Sequence, residues 1–227
     1  MNAKKWIALV LFVIAAAFNF VSNYLEIPLI EYITKPLLMP LVLLNALFAL
    51  EGHDVPKWLV PFLVLALCLH CAGDVFLMVA NGNLPLFAAG LAAFLFGHIF
   101  YISLFIRQGV FKGVNLFTLL MIILATLSTI LALVVMFKFE GVIKYPVFVY
   151  GSMLLFLSMC GFSGALNLKK NEYWFCALGA LLFLFSDFMV AWRSLLGHSF
   201  AGMGFWIMIT YVSAECLIVT SIVRSNR

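Results

Sequence analysis

The chain has 227 residues, of which 66% are hydrophobic and 10% are charged, with a formal net charge of +4. A soluble domain carries roughly 25% charged residues, so this composition excludes an ordinary water-soluble fold. The basic residues lie in short flanks and loops, as membrane topology signals do, so we do not expect the chain to bind nucleic acid.

Eight apolar segments follow one another along the chain. A helix needs roughly 20 apolar residues to cross the hydrocarbon core of a bilayer. The segments cover approximately residues 5–21, 34–50, 58–79, 84–106, 116–137, 143–166, 173–192 and 202–223. The first segment follows a basic pair, as a secretory signal does, but it lacks a small-x-small cleavage site. We therefore interpret it as an uncleaved span.

Short polar breaks separate the apolar segments, and each break contains charged residues or turn formers. The clearest breaks are Glu26-Ile27-Pro28, residues 51–56, Asn81-Gly82-Asn83, residues 138–141 and residues 167–172. None of them has room for a soluble domain. The sequence therefore predicts an all-α fold, a polytopic transmembrane bundle of about eight helices that forms one integral-membrane domain over residues 1–227.

The distribution of basic residues predicts the orientation of this bundle. With eight spans, one side of the membrane collects nine of them, Lys4, Lys5, Lys57, Arg107, Lys112, Lys169, Lys170, Arg224 and Arg227. The other side collects four, Lys35, Lys138, Lys144 and Arg193. Cytoplasmic loops carry the excess of Lys and Arg, so we expect both termini in the cytoplasm.

The sequence contains no recognisable motif for binding a metal or a cofactor. All five cysteines lie inside apolar segments, where Cys most often serves as a small hydrophobic side chain. The chain lacks phosphate-loop, HExxH and dinucleotide-binding signatures. We predict neither a metal nor a cofactor.

A few ionisable residues interrupt the apolar segments, and these are the candidate functional residues. They are His70, Asp74, His98, Asp187, Glu215 and, at the start of the second segment, Lys35. Such groups cost about 2.5–3.5 kcal/mol at the centre of a membrane helix, and they mark functional sites by default. The other interpretation is that they hydrogen-bond between helices. Lys35 could also extend to the membrane interface.

Depth along the helices predicts which of these residues share a layer. At 1.5 Å per residue, Asp74 lies about 24 Å from Trp58, and Asp187 lies about 20 Å from Trp174. Both helices run outward from the cytoplasm, so the two aspartates reach a similar level near the opposite face. Asn19 and Lys35 reach that level too. His98 fits less well, because it lies about 20 Å below the outer end of its helix.

Spacing and small residues indicate which helix faces carry the polar groups. His70 and Asp74 are four residues apart on one face, and His98 and Tyr101 are three apart. Gly73, Gly97 and the Gly179-Ala180 pair provide small surfaces where neighbouring helices can approach closely. Ser186 has no evident neighbouring base in the sequence, which argues against a serine hydrolase.

Three ordered segments resemble the YhhN family of integral-membrane lysoplasmalogenases. They are Thr34-Lys35-Pro36, then Gly73-Asp74 with Phe96-Gly97-His98-Ile99-Phe100-Tyr101, and finally the stretch from Gly179 to Ser186-Asp187. The resemblance implies hydrolysis of the vinyl ether bond of lysoplasmalogens, and it implies that Asp74 and Asp187 match the aspartate positions of the family. Where we expect Ala-Gln in the last helix, this chain has Ala214-Glu215, which either adds a third titratable group or replaces an amide.

That reaction suits the residues already identified. One aspartate would protonate the vinyl ether while the other, ionised, orients water, and the sequence does not assign the two roles. Lys35, assisted by Asn19, would bind the lipid phosphate, and His98 and Tyr101 would orient an aspartate or water.

Several interpretations stay open at this point. A proton-coupled transporter of small molecules or lipids is the main alternative, and a receptor-like module without catalysis is the third. We expect a lysophospholipid substrate, the lipid bilayer as surroundings and a bacterial inner membrane as the location. Headgroup preference and oligomeric state stay undetermined.

Overall fold

A computed structural model describes residues 3–80, 82–136 and 144–227. Over these residues the chain forms eight α-helices and no strand, which confirms the predicted all-α class. The helices are α1 (Ala3–Leu25), α2 (Pro28–Leu50), α3 (Leu59–Val79), α4 (Leu84–Arg107), α5 (Leu116–Met136), α6 (Lys144–Asn167), α7 (Glu172–Leu196) and α8 (Met203–Ser225).

Local sequence signals account for several helix ends. Pro28 occupies the first turn of α2, where its missing N–H has no helical partner to lose. The Asn83 side chain caps α4 by accepting a hydrogen bond from the Leu86 N–H at 3.1 Å. Gly197 ends α7 and Gly202 precedes α8, and both have left-handed backbone angles that glycine adopts at low cost.

The start of α2 differs from the prediction. We expected it at Thr34, but the helix begins at Pro28, so Lys35 lies about 10 Å inside the helix rather than at its mouth. Two prolines, Pro36 and Pro40, are therefore inside α2. Pro40 has no N–H for the Pro36 carbonyl, and the Cys71 thiol of α3 donates to that carbonyl instead, at 3.4 Å.

Other predicted limits shift by a few residues or cannot be compared. α1 continues to Leu25, and α7 continues through Arg193 to Leu196, both beyond the predicted ends. The predicted break at residues 138–141, the end of the fifth segment at Phe137 and the start of the sixth at Ile143 lie outside the described residues. Asn81 of the third break does so too.

Seven of the described helices are long and apolar enough to cross a membrane, and α5 contributes a shorter apolar stretch, Leu116–Ala132. Large apolar side chains point outward, among them Trp6, Phe18, Phe117 and Leu124. Such an exterior is suited to lipid, where helices satisfy their own backbone hydrogen bonds. The placement of both termini in the cytoplasm stays a prediction.

Helix α8 contacts α1, α2 and α7. Helix α3 packs against α2 and α4, and helix α6 packs against α4, α5 and α7. The Phe205 ring at the start of α8 lies 6.0 Å from the Tyr24 ring at the end of α1. At the opposite end, Lys5 of α1 forms an ion pair with Glu51 at 3.4 Å, just after α2. These contacts place the beginning of α1 and the end of α8 at the same end of the bundle.

Candidate active site

Polar side chains from five helices meet inside this apolar bundle, all of them buried except Tyr150 and Asp187, which are half-buried but have buried polar atoms. They are His70 and Asp74 of α3, His98 and Tyr101 of α4, Tyr150 of α6, Asp187 of α7, and Tyr211 and Glu215 of α8. His70, His98, Tyr101 and Glu215 have no exposed surface at all. Because burial of polar groups is costly unless they are paired, their partners decide what the site can do.

Glu215 joins three helices at the centre of this group. Its Oε1 lies 2.5 Å from Nδ1 of His70, although the contact does not have hydrogen-bond angles. Its Oε2 accepts a hydrogen bond from the Tyr101 hydroxyl at 2.7 Å. The carboxyl group that departs from the expected family pattern is therefore held by one residue of α3 and one of α4.

Glycines allow the helices to come close enough for these contacts. A Cβ atom on Gly97 would overlap the imidazole ring of His70, and one on Gly73 would lie 2.7 Å from the Phe94 ring. A Cβ on Gly179 would lie 2.9 Å from the Ala214 carbonyl oxygen. The predicted close approach at these glycines is confirmed, and it sets the separation of α3 from α4 and of α7 from α8.

Asp74 is held by a residue that the sequence analysis did not identify. The Tyr211 hydroxyl donates to Oδ2 of Asp74 at 2.7 Å. Asp74 also lies within electrostatic range of Lys35, Glu215 and His70. Tyr211 is four residues before Glu215, so both side chains project from one face of α8 toward α3.

Asp187 has different surroundings. Its Oδ2 is buried and has no hydrogen-bond partner among the described residues. The Tyr150 hydroxyl lies beside the carboxyl group but does not form a regular hydrogen bond with it. Asp187 is within electrostatic range of Asp74 and Glu215. Because α3 and α7 are not among the closely packed helix pairs of the described residues, Asp187 and Asp74 act on one another electrostatically and not through packed helix backbones.

His98 lies deeper, against the ring of His70. The two imidazole centroids are 4.7 Å apart. Nδ1 of His98 lies 2.7 Å from the Phe94 carbonyl oxygen, and since a carbonyl only accepts, this nitrogen carries the proton. The other nitrogen, Nε2, is buried without a hydrogen-bond partner in the described part of the chain. This position is one layer below Asp74, as the predicted mismatch in depth indicates.

The other candidate residues make local or structural contacts. Asn19 donates to the Thr34 hydroxyl of α2 at 3.0 Å. Lys35 lies 3.6 Å from Glu31 on the same helix. Ser186 donates to the Ile207 carbonyl of α8 at 3.0 Å, so it joins two helices. These three contacts do not involve Asp74, Asp187 or Glu215, although Lys35 acts on Asp74 electrostatically.

Aromatic rings close the site, and most of them escaped the sequence analysis. The Phe183 ring lies 4.5 Å from His98 and 5.3 Å from Tyr211, and the Tyr150 ring lies 5.7 Å from His98. Tyr211 had a usable signal, its spacing of four from Glu215. Tyr150 had none, because aromatic and apolar residues surround it on all faces of its helix.

No three His, Cys, Asp or Glu side chains within residues 3–80, 82–136 and 144–227 are arranged to hold a metal ion. What the site offers is proton chemistry: three carboxyl groups, two imidazoles and three phenol hydroxyls in surroundings of low dielectric constant. Interactions between such charges are stronger there than in water.

Long apolar helices with ionisable groups gathered inside them define a polytopic membrane protein with a buried polar site. The chain belongs to the YhhN family, whose sequence model matches residues 30–222. The match runs from α2 into α8 and contains every candidate site residue except Asn19. No curated protein and no solved structure matches the chain.

Proposed function

We propose that this protein is an intramembrane hydrolase that cleaves the vinyl ether bond of lysoplasmalogens. The products are a fatty aldehyde and glycerophosphoethanolamine or glycerophosphocholine. Membership of the YhhN family supports the proposal, together with the three segments that carry the resemblance to its lysoplasmalogenases. We also propose a bacterial inner membrane as the location, with both termini in the cytoplasm, on the strength of the basic loops.

The reaction requires one acid and one base. A proton added to the vinyl carbon remote from the oxygen produces an oxocarbenium ion. Water adds to that ion, and the resulting hemiacetal collapses to an aldehyde and an alcohol. An acid that is protonated at neutral pH and a carboxylate that stabilises the cation and accepts a proton from water complete the machinery.

The observation that carries the proposal is the convergence of Asp74 and Asp187 on one buried site. They come from α3 and α7, distant in the chain, and they interact electrostatically inside aromatic walls. When two carboxyl groups in one site have unequal surroundings, one can be protonated while the other is ionised, so the site supplies an acid and a base at the same pH. Glu215 adds a third carboxyl group in contact with His70 and Tyr101.

Substrate binding follows from the polar residues near the outer end of the site. Lys35 acts on Asp74 through space, and its pairing with Glu31 at 3.6 Å is loose enough for a phosphate to replace. The alkenyl chain would lie along apolar helix surfaces, which matches its chemistry. Tyr101 donates to Glu215 and so orients that carboxyl group rather than an aspartate.

The test is aldehyde release from a lysoplasmalogen by the purified protein in lipid. We expect Asp74→Asn and Asp187→Asn each to reduce the rate about 10²–10⁴-fold, the usual contribution of a general acid or base. Ser158→Ala is the matched control, because it removes a buried hydrogen bond between α6 and α7 away from the carboxyl groups.

Undiminished aldehyde release in both aspartate variants would exclude the dyad mechanism. Absence of aldehyde with the wild-type protein would exclude the hydrolase. In that case proton-dependent substrate uptake into liposomes would favour a transporter, for which buried carboxyl groups couple protons to movement.

A further inference from the structure

Each of the two aspartates lies next to a tyrosine from another helix, but the two pairs differ. The Tyr211 hydroxyl donates to Oδ2 of Asp74 at 2.7 Å, so this carboxyl oxygen already accepts a hydrogen bond. Tyr150 lies beside Asp187, yet its hydroxyl and Oδ2 of Asp187 are both buried without a hydrogen-bond partner among the described residues. One carboxyl group is satisfied as an acceptor and the other is not.

The charged groups around the two aspartates differ as well. Asp74 faces the Lys35 ammonium of α2 and the His70 imidazole one turn away on α3, besides Glu215 of α8. Asp187 faces Tyr150 of α6, Glu215 of α8 and Asp74 of α3, so the charged groups that act on it in the described structure are carboxyl groups. A neighbouring cation and a donated hydrogen bond favour the ionised form of a carboxyl group, whereas neighbouring carboxyl groups without a cation favour its neutral form.

We propose that the two tyrosines divide the acid and base roles, Tyr211 holding Asp74 as the carboxylate and Tyr150 positioning Asp187 as the proton donor. The catalytic roles in this assignment rest on the proposed hydrolysis. In that reaction Tyr150 is a positioning residue, because it acts on the substrate only through Asp187. The protonation difference itself is a property of the resting protein.

With these roles, every proton transfer in the reaction has a donor and an acceptor. The O–H bond of Asp187 breaks and its proton forms the new C–H bond with the electron pair of the vinyl group. As water adds to the oxocarbenium carbon, Asp74 takes a proton from that water. When the hemiacetal collapses, Asp74 protonates the departing alcohol oxygen, and the hemiacetal hydroxyl returns its proton to Asp187 as the aldehyde forms. Both carboxyl groups recover their initial states.

Infrared spectroscopy of the protein in a detergent without ester groups, at neutral pH, tests the protonation difference without any substrate. A protonated carboxyl group has a C=O stretching band apart from the amide and carboxylate bands. We expect this band in the wild-type protein and in Asp74→Asn, and its loss in Asp187→Asn. Loss in Asp74→Asn with retention in Asp187→Asn, or absence from the wild-type protein, would overturn the assignment. The variant Glu215→Gln identifies any contribution from the third carboxyl group.

The tyrosine variants provide a matched pair that keeps both carboxyl groups. Tyr150→Phe should shift the band because the hydroxyl beside the acid is removed, whereas Tyr211→Phe should leave its frequency unchanged. A shift with Tyr211→Phe alone would assign the proton to Asp74. Since a purely structural tyrosine would alter stability but not this frequency, the measurement separates positioning from packing. If the protein releases no aldehyde but shows this pattern, the hydrolase proposal fails and the proton assignment stands.

Discussion

Two groups of polar side chains lie within the membrane helices, and they are held in different ways. The inner polar cluster consists of His70, Tyr101 and Glu215, which are fully buried and contact one another across α3, α4 and α8. The outer polar cluster consists of Asn19, Glu31, Thr34 and Lys35, whose bonds stay within α2 or join it to α1. The inner cluster ties distant parts of the chain together, whereas the outer one can rearrange locally.

This comparison predicts that stability depends on the inner cluster and ligand binding on the outer one. Removing one partner of a fully buried polar contact leaves the other without compensation. In the outer cluster the Lys35 and Glu31 side chains are partly exposed, so removing one of them leaves the other within reach of water or lipid headgroups. The variants below test this division, beginning with the largest expected effect.

The most severe test of the inner cluster is Glu215→Leu. It leaves the Tyr101 hydroxyl and His70 Nδ1 buried without their carboxyl partner, so we expect a loss of about 3–5 kcal/mol in the free energy of unfolding. Reversible unfolding in detergent or lipid measures it. The control is Glu215→Gln, which preserves an acceptor for Tyr101 and restores the amide expected for the family. Equal stability of the two variants would show that the cluster does not support the fold.

A second test changes the packing of Gly97 against the His70 ring and leaves the polar partners of His70 in place. Gly97→Ala places a Cβ atom into the imidazole ring, and such overpacking costs about 1–3 kcal/mol. Gly151→Ala is the matched control in a helix interior, because its Cβ would meet the end of the flexible Ile130 side chain at 2.9 Å. We expect the control to unfold near the wild-type temperature. Comparable losses in both variants would contradict a special role for Gly97.

Much of the fold could be predicted because a bilayer demands long apolar segments, and the cost of charge inside them singled out Asp74, Asp187 and Glu215. The start of α2 was missed, since Glu31 and Lys35 look like a polar break although they pair within one helix. Contacts between distant segments were beyond sequence reasoning. Equal depth does not make two helices neighbours, and nothing in the periodicity of α6 indicates that Tyr150 reaches Asp187.

A smaller effect is expected within the outer polar cluster, at the hydrogen bond from Asn19 of α1 to Thr34 of α2. Hydrogen bonds between membrane helices contribute about 0.6 kcal/mol on average. A double-mutant cycle with Asn19→Ala and Thr34→Val should give a coupling of that size in unfolding free energy. Coupling of several kcal/mol would mean that the outer cluster is as structural as the inner one.

The smallest effect on stability is expected from Lys35→Met. Its ion pair with Glu31 is an i,i+4 contact, worth about 0.3–0.5 kcal/mol, and the methionine retains the apolar stem of the side chain. Binding should respond much more, because a charge-assisted hydrogen bond to a phosphate contributes about 1.5–3 kcal/mol, so KM for the lysophospholipid should rise about tenfold or more. Glu31→Gln is the informative counterpart: it releases the ammonium group from its carboxylate and should lower KM. If both variants leave KM unchanged, the phosphate is bound elsewhere, and Lys35 serves only to balance the charge of Asp74.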